Sequence, residues 1–198
     1  MDENQGDNMR INSNRNKKEI LKLLRKTRKI GIYDLINYLK HETDYFTAPA
    51  STKYHLNIRG GLAQHSLNVY DCLKRIYRQF EKEVFIPESS LIIVALLHDV
   101  CKTNFYKKVP VGWVYDDQLP LGHGEKSVII LQRYIELTMQ ELMMIRWHMA
   151  GFDLSPYGKT AYYDATKKYP EIIIMHSADY LATSIIENKH FKKYFKTR

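Results

Sequence analysis

The sequence predicts a chain that is helical almost throughout, and three observations favour this fold class. Apolar residues recur at helical spacing in one segment after another, several segments open with residues that cap helix N-termini, and one short stretch breaks the helical period. The apolar fraction of 44% in 198 residues is enough for one sizeable core. We therefore expect a single domain over residues 17-198, preceded by a disordered polar N-terminus over residues 1-16.

In the N-terminal part of this domain, the sequence predicts three helices. The stretch "KKEILKLLRKTRKIG" places its isoleucines and leucines on one face of a basic amphipathic helix that ends at Gly31, and "YDLINYLKH" forms a second, short helix. After the double glycine Gly60-Gly61, "LAQHSLNVYDCLKRIYRQF" keeps helical spacing and carries His65 in its first turn. A histidine is therefore expected near the start of a long helix.

The stretch "PESSLIIVALLHDVCK" predicts a buried helix with a charged end. Pro87 is favourable at a helix start, and the segment is strongly apolar from Leu91 until it reaches His98 and Asp99. An ionised carboxylate inside a protein is costly unless it is paired or bound to a metal. Asp99 therefore needs a partner.

The next segments predict a hairpin and two helices. "YKKVPVGWVYDDQLP" breaks the helical period and favours a small β-hairpin, and "GHGEKSVIILQRYIEL" opens a helix with His123 at its start. "TMQELMMIRWHMAG" carries a capping box, Thr138 with Glu141 three residues later. His148 is expected in the last turn of that helix.

A long loop and a final helix complete the prediction. Residues 152-169 are rich in Tyr, Gly, Ser and Pro, and loops of such length are usually functional or mobile. The helix "PEIIIMHSADYLATSIIE" places His176 and Asp179 three residues apart, and hence on one face. We expect His176 to make a supporting hydrogen bond or to pack in the core.

Charge and composition narrow the class of protein. The formal charge of +8 is concentrated in residues 1-30 and 189-198, whereas residues 31-188 hold slightly more acidic than basic residues. Basic ends could grip a polyanion, but solvated ends are the favoured explanation. No apolar run approaches the roughly 20 residues of a membrane span, and the start is unlike a signal peptide. We therefore expect a soluble cytoplasmic protein that does not bind a membrane.

The two cysteines, Cys72 and Cys101, are too few for a disulfide framework and fit a reducing compartment. Cys101 has only Lys102 as a basic neighbour in its own turn, so we expect an inert buried thiol.

Six histidine and aspartate residues lie near helix ends or among apolar residues. Imidazole nitrogens and carboxylate oxygens together suit several divalent metals, and the group carries more weight than any single member. These candidate metal ligands are His65, His98, Asp99, His123, His148 and Asp179.

Their order along the chain resembles a known family. The pattern H...HD...H...H...D, in "GGLAQHS", "ALLHDVCK", "LGHGEKS", "IRWHMAG" and "HSADYLA", is similar to that of the HD-domain metal-dependent phosphohydrolases. It most resembles the branch with bacterial HD-domain 3'-to-5' exoribonucleases and prophage-type HD hydrolases. The resemblance covers residues 51-187. It implies an all-α HD-domain helical bundle, with the β-hairpin inserted between the helix that carries His98-Asp99 and the next helix.

The resemblance also implies a metal centre of one or two divalent ions per chain, drawn from Mn, Fe, Ni, Zn or Mg. His65, His98, Asp99 and Asp179 would hold one ion, and Asp99 would bridge to a second ion held by His123 and His148. Many relatives with two metals have adjacent histidines where this chain has His148-Met149. Met149 therefore puts in doubt either the second ion or one substrate contact.

Catalysis and substrate contact are assigned on the same basis. Asp99 is expected to be catalytic through the metal, and Lys102 to contact a phosphate oxygen or stabilise developing charge, although a solvent-facing lysine at a helix end fits nearly as well. The tyrosines and the lysine of the long loop could form a lid over the substrate, although surface tyrosines that pack along a loop fit equally well. Expected substrate contacts are Lys53, His55, Lys102, Tyr157 and Lys159.

The leading functional hypothesis is a metal-dependent hydrolase that uses metal-activated water on a nucleotide or a related small phosphorylated substrate. The first alternative is a 3'-to-5' exonuclease on RNA or single-stranded DNA, although those relatives usually carry an extra OB-type domain for which we expect no room here. The second is a non-catalytic metal- or nucleotide-binding module. A dimer through the apolar face of the first helix and a monomer both agree with the sequence.

Overall fold

The computed structural model describes residues 11–52, 55–115, 121–150 and 156–188. Within these ranges the chain forms eight α-helices and one two-stranded antiparallel hairpin, which confirms the all-α fold with a small β-hairpin. The helices in chain order are α1 Ser13–Lys26, α2 Ile32–His41, α3 Gly61–Phe80, α4 Glu88–Leu97, α5 His123–Leu131, α6 Met139–Arg146, α7 Pro156–Lys168 and α8 Glu171–Leu181. The hairpin strands are β1 Tyr106–Val109 and β2 Gly112–Tyr115.

Helix α4 is the centre of the bundle. Every side chain from Leu91 to Leu97 is at most 5% exposed, as expected for a helix that is apolar on all sides. Helices α1, α3 and α6 pack around α4, and α8 packs against α3 and α6. Burying each large aliphatic side chain contributes about 1.5–3 kcal/mol. The charged residues that follow α4 are therefore held at the end of a rigid, dry helix.

Helix α1 begins earlier than the sequence predicts. The Asn12 side chain accepts a hydrogen bond from the Arg15 backbone N–H at 3.0 Å and so caps the helix N-terminus. Asn16 is buried, and its amide donates to Gln64 Oε1 at 2.9 Å. A cap and a tertiary contact thus hold residues 13-16 in α1, whereas the sequence indicated a helix only from residue 17.

Two glycines allow the close contacts that place histidines near the core. A Cβ at Gly61, the first residue of α3, would lie 2.0 Å from the Leu56 carbonyl oxygen. A Cβ at Gly124 in α5 would lie 2.1 Å from the Arg146 carbonyl oxygen at the end of α6. The backbone at both helix starts therefore sits against a neighbouring chain segment that no larger residue would permit.

The second half agrees with the sequence in part. The capping box of Thr138 and Glu141 opens α6, and the hairpin forms where it was predicted. The prediction of a long loop over residues 152-169 is wrong for its larger part, because residues 156-168 form α7. Pro156 is favourable at a first helical position, and the residues after Gly158 are compatible with a helix.

The C-terminal helix changes its winding. After α8, the chain continues as a π-helix over Ala182–Ile186, in which the Glu187 N–H donates to the Ala182 carbonyl at 2.9 Å. A π-turn holds one more residue than an α-turn and is frequent at functional sites. The extra residue of this π-turn changes the direction in which the Glu187 side chain projects from the helix.

Candidate metal centre

Five of the six candidate ligands converge at one end of α4. His65 lies near the start of α3, His98 and Asp99 directly follow α4, His148 follows α6, and Asp179 lies in α8. The first four are at most 3% exposed, and the Asp179 side chain is 15% exposed. Four separate parts of the chain therefore deliver imidazole and carboxylate groups to one buried point.

The contacts are made by the Nε2 atoms of the histidines. Asp99 Oδ2 lies 3.5 Å from His98 Nε2 and 3.6 Å from His65 Nε2, and Asp99 Oδ1 lies 3.6 Å from His148 Nε2. Asp179 Oδ1 lies 3.2 Å from His65 Nε2 and 4.0 Å from His98 Nε2. The three rings thus present the same nitrogen to two carboxylates.

The opposite nitrogens of two of these rings are fixed by backbone carbonyls. His98 Nδ1 donates to Ala95 O at 3.0 Å, and His148 Nδ1 donates to Ile145 O at 2.7 Å. A carbonyl oxygen only accepts, so the proton of each neutral ring resides on Nδ1 and the lone pair on Nε2 points at the centre. This is the orientation that metal-binding histidines require.

The buried polar atoms at this point are suited to bind a cation. Among the described residues, His98 Nε2, His148 Nε2 and Asp99 Oδ1 are buried without a hydrogen-bond partner. Leaving a buried polar atom unpaired costs about 1–3 kcal/mol, and three such atoms meet here. A divalent cation would satisfy all three lone pairs, and a mixed imidazole and carboxylate set accepts Mn, Fe, Ni or Zn, and Mg less readily.

Lys102 stands beside the bridging carboxylate. It belongs to a short 3-10 helix, Val100–Lys102, and its Nζ lies 2.6 Å from Asp99 Oδ2 with the side chain only 12% exposed. Burial alone would raise the pKa of Asp99, but Lys102, His98 and His148 hold it well below its usual range. Lys102 therefore points into the site, and Asp99 is ionised.

Glu187 is part of the site, although the sequence did not single it out. It is buried, and it accepts hydrogen bonds from His65 Nδ1 at 3.0 Å and from Asn68 Nδ2 at 2.8 Å. Burial would lower the pKa of His65, but Glu187 and Asp179 raise it to about 10. The one signal in the sequence is the four-residue spacing Asp179, Thr183, Glu187, which is weak without the fold.

His55 lies next to this pair. Its Nε2 is 3.8 Å from Glu187 Oε2, and its ring centroid is 4.9 Å from that of His65. Burial and the nearby positive charge of His65 lower the pKa of His55 to about 4, so the ring is neutral near pH 7. His55 is thus close to the centre, where a substrate contact was expected.

His123, the sixth candidate ligand, belongs to a neighbouring cluster. It is the first residue of α5, and its Nδ1 lies 3.6 Å from Cys101 Sγ. Ligand atoms of Asp99, Cys101 and His123 lie within 4.8 Å of one another. Asp99 therefore belongs to both groups.

The structure describes only some of the other residues that the sequence singled out near the substrate. Lys53 and the Tyr157 side chain lie outside the described residues, and Lys159 is exposed on α7 rather than on a loop. His176 donates from Nδ1 to the His148 carbonyl at 2.7 Å, which is the supporting bond expected for it.

A cavity of about 170 Å³ opens onto the centre. Its lining residues are His55, His65, Asp99, Lys102, His148, Met149, His176, Asp179, Tyr180 and Thr183. A larger cavity of about 440 Å³ lies between α3 and the π-helix, beside Cys72, but none of the candidate ligands lines it. The candidate metal ligands therefore line the smaller of these two cavities.

Comparison with known proteins identifies the family. The model of the HD domain family matches residues 62–184, and the chain belongs to this family. Proteins with this domain are generally metal-dependent phosphohydrolases, which agrees with the histidine and aspartate clusters of the structure. No curated protein and no solved structure gave a significant match. In the described part of the chain, no helix has the length and apolar character needed to cross a membrane.

Proposed function

We propose that this protein is a metal-dependent phosphohydrolase that cleaves a phosphoester or phosphoanhydride bond of a nucleotide or a related small phosphorylated substrate. One observation carries the proposal. Two buried, unpartnered histidine nitrogens and an unpartnered oxygen of the ionised Asp99 meet near the ionised Asp179, beside a cavity into which a lysine projects. This combination suits an ion and a phosphate in adjacent positions.

His65, His98, Asp99 and Asp179 would hold one ion, and Asp99 would extend to a second ion near His148 and His123. When bound, such ions supply Lewis acidity, which polarises a phosphoryl oxygen and lowers the pKa of a bound water. The protein fixes the histidines in advance through their Nδ1 hydrogen bonds, so little reorganisation is needed when the ion enters.

Lys102 is the group best placed to act on the substrate. Burial would lower the pKa of Lys102, but Asp99 raises it above its usual value, so the ammonium is charged at neutral pH. It lines the cavity and can turn from Asp99 Oδ2 to a phosphate oxygen by rotation about its side-chain bonds. A fixed positive charge at that point stabilises the charge that develops on the phosphoryl oxygens.

The size of the cavity favours a small substrate. Typical ligand pockets measure about 300–1,000 Å³, and the cavity of about 170 Å³ is smaller. It can accommodate a phosphoryl group and the atoms next to it, and its lining residues Tyr180 and Thr183 are available to contact the remainder of the substrate. Residues 31-188 also lack the basic excess of a groove that tracks a long polyanion.

The test is product analysis by chromatography with Mn²⁺-loaded protein and a panel of nucleoside mono-, di- and triphosphates, cyclic nucleotides and short RNA and DNA oligomers. The wild type is compared with Asp99→Ala and with Asp71→Ala, in which a carboxylate that is 72% exposed is removed. We expect loss of a nucleotide species with the wild type and with Asp71→Ala, and none with Asp99→Ala.

Stepwise shortening of oligomers, without turnover of free nucleotides, would replace this proposal with the exonuclease function. Tight Mn²⁺ binding with no product from any member of the panel would favour a binding module instead. Normal turnover by Asp99→Ala would show that the site is elsewhere.

A further inference from the structure

Asp99, Cys101 and His123 form a compact group beside the histidine cluster described above, and Asp99 is common to both. Cys101 Sγ lies 3.6 Å from His123 Nδ1, and one ligand atom of each residue lies within 4.8 Å of the other two. Cys101 is 6% exposed, and His123 is half-buried at the start of α5. Sulfur, nitrogen and oxygen donors are thus gathered in one place.

The distance between Cys101 and His123 matches shared coordination. With a Zn–S bond of about 2.3 Å and a Zn–N bond of about 2.0 Å at a tetrahedral angle, the sulfur and nitrogen atoms lie about 3.5 Å apart. The observed separation of Cys101 Sγ and His123 Nδ1 is 3.6 Å. An ion could therefore enter between these two atoms with almost no movement of either side chain.

Asp99 brings to this group the unpartnered oxygen already noted at the histidine cluster, where it lies 3.6 Å from His148 Nε2. It is 3% exposed, and its Oδ1 has no hydrogen-bond partner among the described residues. A buried, ionised carboxylate oxygen without a partner is costly, and a cation removes the cost. The same residue therefore faces the histidine cluster and the group with Cys101.

We propose that the Cys101 thiolate is a further ligand of the second ion, beside Asp99 and His123, and that the position therefore prefers a thiophilic ion such as Zn²⁺ or Fe²⁺ to Mg²⁺. When the ion enters, the thiol proton leaves to solvent and a sulfur–metal bond forms. Thiolate ligands select softer metals, whereas Mg²⁺ demands oxygen ligands. The sequence alone predicts an inert thiol at Cys101, because it does not show that His123 lies beside it.

The local backbone supports this position. The Cys101 N–H donates to Ser127 Oγ at 3.3 Å, so the 3-10 helix is tied to α5, the helix that carries His123. Gly124 lets the start of α5 approach the end of α6. Contacts within the protein, rather than the ion, thus hold Cys101 and His123 close together.

The inference rests on the metal-binding part of the proposed function, and one experiment separates the two. The full-length protein is titrated with Co²⁺ under anaerobic conditions, and its absorption spectrum is recorded. Histidine and carboxylate ligands give visible ligand-field bands, whereas a thiolate ligand adds a strong near-ultraviolet charge-transfer band. The chain has two cysteines, so Cys72→Ser is a matched control for Cys101→Ser.

We expect the charge-transfer band in the wild type and in Cys72→Ser. In Cys101→Ser we expect the band to disappear and the number of bound ions to fall by one per chain. If Cys101→Ser does not fold, the Cys72→Ser spectrum still tests the proposal. Cys101 is the one cysteine left in that variant, so a charge-transfer band from a cysteine thiolate must come from Cys101. Visible bands without a charge-transfer band in the wild type would overturn the inference and leave the histidine centre intact. Absence of Co²⁺ uptake would overturn the metal-binding function itself.

Discussion

His65 Nδ1 and Glu187 Oε1 lie 3.0 Å apart, although the two residues are separated by 122 positions in the chain. The contact holds the imidazole of His65 with Nε2 towards Asp99 and Asp179. A carboxylate behind a metal-binding histidine fixes its tautomer and raises its basicity. Glu187 therefore acts on the centre through His65.

Removal of this carboxylate should weaken metal binding. We expect Glu187→Ala to lower the affinity for Mn²⁺ about 10–100-fold, the usual effect of losing a partner behind a metal ligand. Glu187→Gln, which keeps an acceptor oxygen but not the charge, should lose less. Isothermal titration calorimetry measures both, with Glu81→Gln at an exposed position as the control. Equal affinities for Glu187→Ala and the wild type would contradict the role of this contact.

Metal binding should release protons at neutral pH. Glu187 and Asp179 raise the pKa of His65 to about 10 against the effect of burial, and Asp99 raises that of His148. At a pKa of about 10, the ion-free His65 ring is protonated at pH 7, and a metal ligand must be deprotonated. We expect release of about one proton per chain from His65 and an affinity that increases with pH.

Titration of Mn²⁺ in buffers with different ionisation enthalpies measures this proton release. The observed heat should vary linearly with the buffer enthalpy, with a slope equal to the number of protons. A heat that is independent of the buffer would show that His65 is already neutral.

Metal removal should destabilise the folded protein. An ion that binds only the native state at a hundredfold excess over its Kd adds about 2.7 kcal/mol. For a chain of this size, that corresponds to an increase in Tm of about 5–10 °C. Differential scanning calorimetry with and without Mn²⁺ measures the shift, which EDTA should reverse. Asp179→Ala should reduce the shift, and Asp71→Ala should leave it unchanged.

Gly61→Ala should destabilise the fold. The added Cβ would lie 2.0 Å from the Leu56 carbonyl oxygen, and backbone must move to admit it. Overpacking of this kind costs about 1–3 kcal/mol or more. At Gly112, by contrast, a Cβ meets no atom within 4 Å, so Gly112→Ala bears only the strain of its positive φ. Urea denaturation compares the two, and a greater loss for Gly112→Ala would contradict the prediction.

The sequence predicts the helices of the core because their apolar residues repeat at helical spacing, as in α3 and α4. It also places the hairpin, since Pro110 and Gly112 interrupt that spacing. It fails for α7, where Gly, Ser and Pro favoured a loop. Local composition is a weak guide when a helix has no strong apolar stripe.

The site was predictable as a set of residues, but not as a geometry. Histidine and aspartate types in a fixed order indicate the ligands, whereas the contacts of His65 with Glu187 and of Cys101 with His123 depend on how distant helices pack. The π-turn before Glu187 has no clear local signal either. Contacts of this kind depend on tertiary packing, which no local pattern encodes.

The ligands of the centre are spread over most of the chain, from His65 in α3 to Asp179 in α8. Such long-range contacts form late in folding, because each requires the closure of a long loop. During synthesis, the growing polypeptide cannot assemble the ligand set until α8 has left the ribosome. Loading of the ion is therefore expected only once α8 has been synthesised, and a chain that lacks α8 or is partly folded has no complete site with which to compete for cellular metal.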